Sequence, residues 1–282
     1  MKKTVGEWLA YGEQSLAAVT ETPRLDAEIL LCEALALTRV QLLSRLPESV
    51  DPSRFQALLD RRAAHEPIAY ILGEWEFYSL PLYVTPPLLV PRPETEHLVD
   101  RVLQFIGNDS ASVLDLCTGT GCIAVAVAKH AINTHVTASD ISPIAIDVAE
   151  RNAARHDLLN RMSFDEGDLF DAIASTENRF DVISANPPYV EDGDWDSLDP
   201  VIRLYEDPGA LRAGADGLDV VRRIAAEAQC HLRDGGLLAV EIGAGQAHAT
   251  RAIVQEHGYD NIEFQPDLAG IERILLAQKP NQ

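Results

Sequence analysis

The chain has 282 residues, 46% hydrophobic and 24% charged, a balance that suits an ordinary globular protein of one large domain or two unequal ones. Its net charge of −21 comes from 44 acidic against 23 basic residues, only four of them lysine. Such a surface disfavours nucleic acid, whose binding relies on Lys and Arg displacing counterions.

Residues 1–8 carry Lys2 and Lys3 but no apolar run behind them, and Glu7 and Glu13 interrupt the next stretch, so neither a signal peptide nor a membrane anchor is expected. Residues 1 to about 66 read as a small helical bundle. Thr22-Pro23-Arg24 opens an apolar-periodic stretch through Leu25, Ile29, Leu30 and Leu35, with Asp26 and Glu28 placed as a helix dipole prefers. Asp51-Pro52 opens another, with Phe55, Leu58 and Leu59, ending at Asp60-Arg61-Arg62.

Between 67 and 84 the composition turns aromatic and β-branched. Ile68-Ala69-Tyr70-Ile71-Leu72-Gly73 and Phe77-Tyr78-Ser79-Leu80-Pro81-Leu82-Tyr83-Val84 read as strands of a hairpin linking two domains. Pro86-Pro87 and Pro91-Arg92-Pro93 stiffen the entry to the second, and Pro91 to Glu96 reads either as the start of a helix or as a segment that closes over a ligand, the helix start being favoured.

From about 110 strands and helices alternate. Strands are expected at 113–116, 136–139, 162–164, 180–185, 237–242, 262–265 and 274–277, with helices at 122–129 and from Ser142-Pro143 to Ala154. This rhythm implies an α/β fold, a mostly parallel sheet covered by helices on both faces. The cysteines, Cys32, Cys117, Cys122 and Cys230, form no CxxC pair, as expected of reduced thiols in the cytoplasm, and the eight histidines show no metal-ligand spacing.

Asp115-Leu116-Cys117-Thr118-Gly119-Thr120-Gly121 follows the first strand of this part and opens a helix; its glycines let the backbone turn sharply and approach a ligand. Asp140 ends the next strand, where a carboxylate can accept hydrogen bonds from both hydroxyls of a ribose. This is a nucleoside pocket. Gly119-x-Gly121-x-x-Ala124 also fits a dinucleotide fingerprint. The acidic Asp115 and the pair Asp168-Leu169, an acceptor for an adenine amino group and an apolar wall for its ring, favour S-adenosylmethionine over NAD.

Asn186-Pro187-Pro188-Tyr189 follows the apolar run 180–185, at the strand edge where α/β sheets bind ligands. An amide or aromatic-amine nitrogen gives its lone pair to the adjoining π-system, so methylating it requires both its hydrogens to be held. The Asn186 side-chain oxygen and the Pro187 carbonyl can each accept one; Pro187 and Pro188 add no competing N–H, and Tyr189 can lay its ring on a planar group. The tetrapeptide also resembles the turn of adenine-N6 and guanine-N2 methyltransferases. Five carboxylates from Glu191 to Asp199 repel nucleic acid and would either favour a basic protein segment or form a solvated flap, and both readings stay open.

Almost end to end the chain resembles the HemK/PrmC family, protein-(glutamine-N5) methyltransferases of peptide chain release factors. The likeness lies in residues 65–73 (His65-Glu66-Pro67-Ile68-Ala69-Tyr70-Ile71-Leu72-Gly73), Val90-Pro91-Arg92-Pro93-Glu94-Thr95-Glu96, 115–121, Gly167-Asp168-Leu169-Phe170, 186–189, Gly214-Ala215-Asp216-Gly217-Leu218 and Glu241-Ile242-Gly243. The resemblance implies a helical substrate-recognition domain over 1–66, a β-hairpin linker over 67–84, and over 85–282 a Rossmann-like class I S-adenosylmethionine-dependent methyltransferase domain with a mostly parallel seven-stranded sheet. It implies that Cys117, Thr118, Gly119, Thr120, Gly121, Asp140, Asp168, Leu169 and Asn186 line the cofactor. It also implies that Asn186, Pro187, Pro188 and Tyr189 hold the glutamine amide of a release factor's Gly-Gly-Gln loop. Related enzymes methylate a ribosomal-protein glutamine, and that substrate stays open. Glu206-Asp207-Pro208 and residues 270–273 depart from the family pattern and are expected to lie outside both pockets.

Overall fold

A computed structural model describes residues 3–51, 53–173 and 179–281. Two compact units emerge. The first runs to Glu74 and takes in Asp199–Tyr205; the second comprises Trp75–Leu198 and the chain from Glu206 onward.

The first unit opens with β1 (Lys3–Thr4), and the helices α1 (Val5–Leu16), α2 (Pro23–Leu35) and α3 (Arg39–Ser44) come next. Reciprocal capping boxes start α1, between Thr4 and Glu7, and α3, between Thr38 and Gln41. Then come β2 (Ser49–Val50), antiparallel to β1, and α4 (Ser53–Ala63). Pro52, expected at the head of α4, lies outside the described residues; Asp51 accepts from the Ser53 N–H at 2.9 Å. The core is Val5, Leu9, Leu30, Leu31, Leu42, Phe55 and Leu59. Asp26 and Glu28 do more than complement a dipole. Both are buried; Asp26 pairs with Arg62 at 2.8 Å, and Glu28 with Arg24 at 2.8 Å and Arg39 at 2.7 Å.

One expectation fails here. Ile68–Leu72, read as a strand, is the helix α5, ended by Gly73 in the left-handed region at φ 76°. A five-residue apolar run has too little periodicity to separate strand from helix, and burial of Ile68, Ala69, Tyr70 and Ile71 decides the matter.

The hairpin itself is β3 (Glu74–Phe77) and β4 (Leu80–Tyr83). Tyr78 and Ser79, at φ 52° and 58°, form the two-residue turn whose twist matches the strands. Next come α6 (Glu96–Ile106), β5 (Ser112–Leu116), α7 (Cys122–His130), β6 (His135–Asp140), α8 (Pro143–Arg155), β7 (Met162–Glu166) and β8 (Phe180–Ala185). The four-residue α9 (Pro200–Arg203) belongs to the first unit. The chain ends with α10 (Asp219–His231), β9 (Leu232–Glu241), α11 (Ala247–Glu256), β10 (Asp260–Pro266) and β11 (Glu272–Gln278).

Seven strands form one sheet in the order β10-β11-β9-β8-β5-β6-β7. Neighbours from β7 to β9 are parallel, while β11 runs antiparallel to both β9 and β10. Alternate residues of β5 feed two cores: Val113 packs in the cluster with Val102 and Val125, and Leu114 and Leu116 in that with Ile224 and Val254. Both faces of the sheet are therefore covered, as the unbroken apolar strands require. β6 and β8 flank β5 on opposite sides, so the strand order reverses there and opens a crevice beyond their carboxyl ends. No helix among the described residues is long and apolar enough to cross a membrane.

Candidate active site

The loop between β5 and α7 is held from below. Asp115, fully buried, accepts from the Thr118 hydroxyl at 2.6 Å and the Ser184 hydroxyl at 2.8 Å. Burial pushes its carboxyl up to about 7. Asp115 thus sits beneath the cleft rather than in it. Cys117, Gly119 and Gly121 all take positive φ (54°, 55° and 77°), which produces the sharp turn. A Cβ on Gly121 would stand 2.8 Å from that of Ala149, so α8 can approach only a glycine there. The loop's upper side is open: a Cβ on Gly119 would meet nothing within 4 Å.

Asp140, at the end of β6, accepts from the Gly119 N–H through one oxygen and the Ser142 N–H through the other, both at 2.9 Å. Desolvation raises its pKa against these hydrogen bonds. A cleft of ≈ 380 Å³ lies over this arrangement. Of the residues expected to hold a cofactor, Cys117, Thr118, Gly119, Thr120, Asp140, Asp168, Leu169 and Asn186 line it, whereas Gly121 does not. Asp168 makes no capping bond to the short helical turn after it; its carboxylate pairs with Arg223 of α10 at 2.9 Å, and Arg223 also lines the cleft. Burial raises the pKa of the Cys117 thiol, which keeps it protonated.

Asn186 and Pro188 border the same cleft, at the end of β8. Pro187 is buried and Tyr189 half-buried, and neither is part of the lining. The Asn186 amide nitrogen donates to the Thr95 hydroxyl at 3.3 Å, and that hydroxyl donates to Glu241 at 2.6 Å. Tyr189 Oη stands 3.5 Å from the other Glu241 oxygen, and its carbonyl accepts from Gln246 at 2.9 Å. Burial raises the Glu241 carboxyl to about 7.

Leu88 and Leu89 line the cleft without having been singled out in the sequence. Pro91, Arg92 and Thr95 line it too, so the segment weighed as either a helix start or a cover for the cofactor does both: a short 3₁₀ turn over Pro93–Thr95 leads into α6 while its front edge faces the cavity. The expectation that Glu206-Asp207-Pro208 lies outside the pockets is also corrected, because Asp207, Gly209 and Ala210 line the cleft. The physical reason is an ion pair to a buried carboxylate: Arg92 Nη2 lies 2.7 Å from both oxygens of Glu206, and the Asp207 N–H donates to the Pro87 carbonyl at 2.8 Å. Thr95 and Glu241 stood in segments already singled out, but nothing local signalled their contact with Asn186. The acidic stretch carries a 3₁₀ segment, Asp192–Ser197, in which Asp192 pairs with Arg212 at 2.8 Å.

The donor set fits a nucleoside. A carboxylate offers about four lone-pair positions, so Asp140, which accepts from the backbone of Gly119, Ser142 and Ile141, keeps capacity for a ligand hydroxyl. The cavity is of small-molecule size and sits at the switch point of the sheet. This strand order, loop and carboxylate define a class I S-adenosylmethionine-dependent methyltransferase.

The family model described as PrmC N-terminal domain matches residues 7–73, and the Methyltransferase small domain matches residues 95–203. The chain is 40% identical to the release factor glutamine methyltransferase of Rhodopirellula baltica, over 92% of this chain and 90% of that protein. It is also 40% identical to the release factor glutamine methyltransferase of Neisseria gonorrhoeae, over 98% and 97%. A solved methyltransferase from Pyrococcus furiosus shares the fold, with a TM-score of 0.54 at 19% identity, covering 81% of this chain and 99% of that one. The chain belongs to the release factor glutamine methyltransferase family.

Proposed function

We propose that this protein methylates the side-chain amide nitrogen (N5) of the glutamine in the Gly-Gly-Gln motif of peptide chain release factors, supporting translation termination. The observation that carries the reading is the shared cleft: Asn186 and Pro188 border the cavity that also contains the glycine loop and Asp140. Family membership supplies the substrate class.

When bound, S-adenosylmethionine would supply an electrophilic methyl group: the amide nitrogen would form the new bond to carbon as the methyl–sulfur bond breaks, with its electron pair staying on the now neutral sulfur of the departing S-adenosylhomocysteine. Cys117, Thr118, Gly119, Thr120 and Asn186 would cradle the cofactor. Asp140 would accept from its ribose hydroxyls, and Asp168 and Leu169 would hold its adenine; Gly121 serves by letting the loop turn. Asn186 Oδ1 and the Pro187 carbonyl accept the two N–H groups of the glutamine, so the nitrogen cannot rotate and its lone pair points at the methyl. Pro188 and Tyr189 shape the corner around that amide. Positioning of this kind supplies on the order of 7–11 kcal/mol of the barrier. The methylated nitrogen, positively charged until it loses a hydrogen, is acidic enough to release that proton to water, so no base is required.

The helical N-terminal unit over residues 1–66 helps grip the release factor, with the 67–84 segment as linker, and the enzyme works in the cytoplasm without touching nucleic acid. The test is mass spectrometry of release factors incubated with enzyme and cofactor. One added methyl on the Gly-Gly-Gln peptide is expected, and none when its glutamine is alanine. Methylation of the alanine mutant, or of a ribosomal protein alone, contradicts the assignment. Asn186→Ala is expected to lower turnover by about 10²-fold, the cost of a misplaced acceptor, with far less change in cofactor affinity.

A further inference from the structure

We infer that Glu241, acting through the Thr95 hydroxyl, is a positioning residue that dictates which end of the Asn186 side-chain amide faces the acceptor site. The inference rests on the role of Asn186 proposed for the methyl transfer.

A threonine hydroxyl has one proton to give. At 2.6 Å from Glu241 Oε2, Thr95 gives it to the carboxylate, which can only accept. Its oxygen is then restricted to accepting from Asn186, and the 3.3 Å contact is made by the Asn186 nitrogen. The amide oxygen is thereby left for the substrate's N–H. Protonation of Glu241 reverses the chain of polarity: its hydroxyl donates to Thr95, Thr95 donates to Asn186 Oδ1, and the amide turns to present NH₂. Two NH₂ groups would then face each other, and the glutamine nitrogen would lose its acceptor.

Several groups surround this carboxylate. Thr95 and Glu94 face it from the turn before α6, Asn186 and Tyr189 from the end of β8, and Arg273 from β11. Its charge is also felt by Cys122 at the start of α7. Burial and Glu94 raise its pKa while Thr95, Arg273 and Asn186 lower it, and the net result, about 7, places the switch within the working range of pH. The ionised form is the competent one, so turnover falls as pH drops through about 7.

The test compares kcat, KM and cofactor affinity for wild type, Glu241→Gln, Thr95→Val and Thr95→Ser. Glu241→Gln and Thr95→Val are expected to lower kcat by about 10²-fold, with little change in S-adenosylmethionine affinity measured calorimetrically. Thr95→Ser, which keeps the hydroxyl, recovers most of what Thr95→Val loses. The acidic limb of the wild-type kcat profile is absent from Glu241→Gln. Independently of activity, NMR of the Asn186 side-chain amide in wild type shows a pH transition near 7 that Glu241→Gln abolishes. Wild-type turnover in Glu241→Gln, an acidic limb that persists in it, or an Asn186 amide that does not titrate overturns the inference. If release factors prove not to be the substrate, the NMR transition still decides it.

Discussion

Asn152, fully buried on α8, joins two parts of the methyltransferase unit that are distant in sequence. Its Oδ1 accepts from the Tyr83 N–H at 2.6 Å, and its Nδ2 donates to the Tyr83 carbonyl at 3.0 Å and the Thr120 carbonyl at 2.8 Å. One side chain therefore ties the end of the hairpin to the glycine loop. Asn152→Ala removes all three bonds. The two at Tyr83 are partly buried, and water can replace them at a net loss of about 1 kcal/mol each; the Thr120 carbonyl is buried and left unpaired, at about 1–3 kcal/mol. The expected loss is about 3–5 kcal/mol of unfolding free energy, measured by urea titration with far-UV circular dichroism. S-adenosylmethionine affinity should weaken in the same variant, because Thr120 borders the cleft. Asn152→Asp keeps the acceptor for Tyr83 but turns two donated bonds into contacts between oxygens and buries a charge. It should be at least as destabilising at pH 8 and recover in acid, where the carboxyl can donate. A change within about 0.5 kcal/mol for Asn152→Ala, the scale of ordinary surface substitutions, would refute the idea that this residue couples hairpin and loop.

Asp140→Ala removes the acceptor of the loop backbone and, on the proposed reading, of the ribose, so the S-adenosylmethionine dissociation constant should rise on the order of 10²-fold by calorimetry, charged hydrogen bonds being worth about 1.5–3 kcal/mol each. Cys117 adopts a left-handed conformation that costs a side-chain-bearing residue about 1–2 kcal/mol. Cys117→Gly should thus change stability by less than about 1 kcal/mol, while the β-branched Cys117→Val is clearly destabilised in urea. Because burial holds the Cys117 thiol protonated, iodoacetamide should label exposed Cys230 far faster, as peptide mapping would show. Asp115 and Glu241 both bind a proton more tightly folded than unfolded. The stability they contribute is complete below the ordinary carboxylate range and is lost as pH rises through about 7; Asp115→Asn should flatten that slope in thermal unfolding between pH 5 and 8.

Much of the site is local, and local features are what a sequence displays. The turn at Gly119 and Gly121, the carboxylate closing β6 and the proline corner after β8 each depend on a few adjacent residues whose backbone preferences and strand edges are visible in the chain itself. The alternation of strands and helices likewise implied the parallel sheet, because apolar runs that long must be buried on both sides. Tertiary structure decided the rest. Helix at Ile68–Leu72 won over strand because burial, not intrinsic preference, settles so short a run. Arg92 meets Glu206 across 114 positions, Asn186 meets Thr95 across 91, and Thr95 meets Glu241 across 146. Those encounters depend on which strands lie side by side, and strand order is fixed by how the whole sheet buries its two faces. The residues that would do the chemistry are written in the chain; the network that aims them exists only once the sheet has assembled.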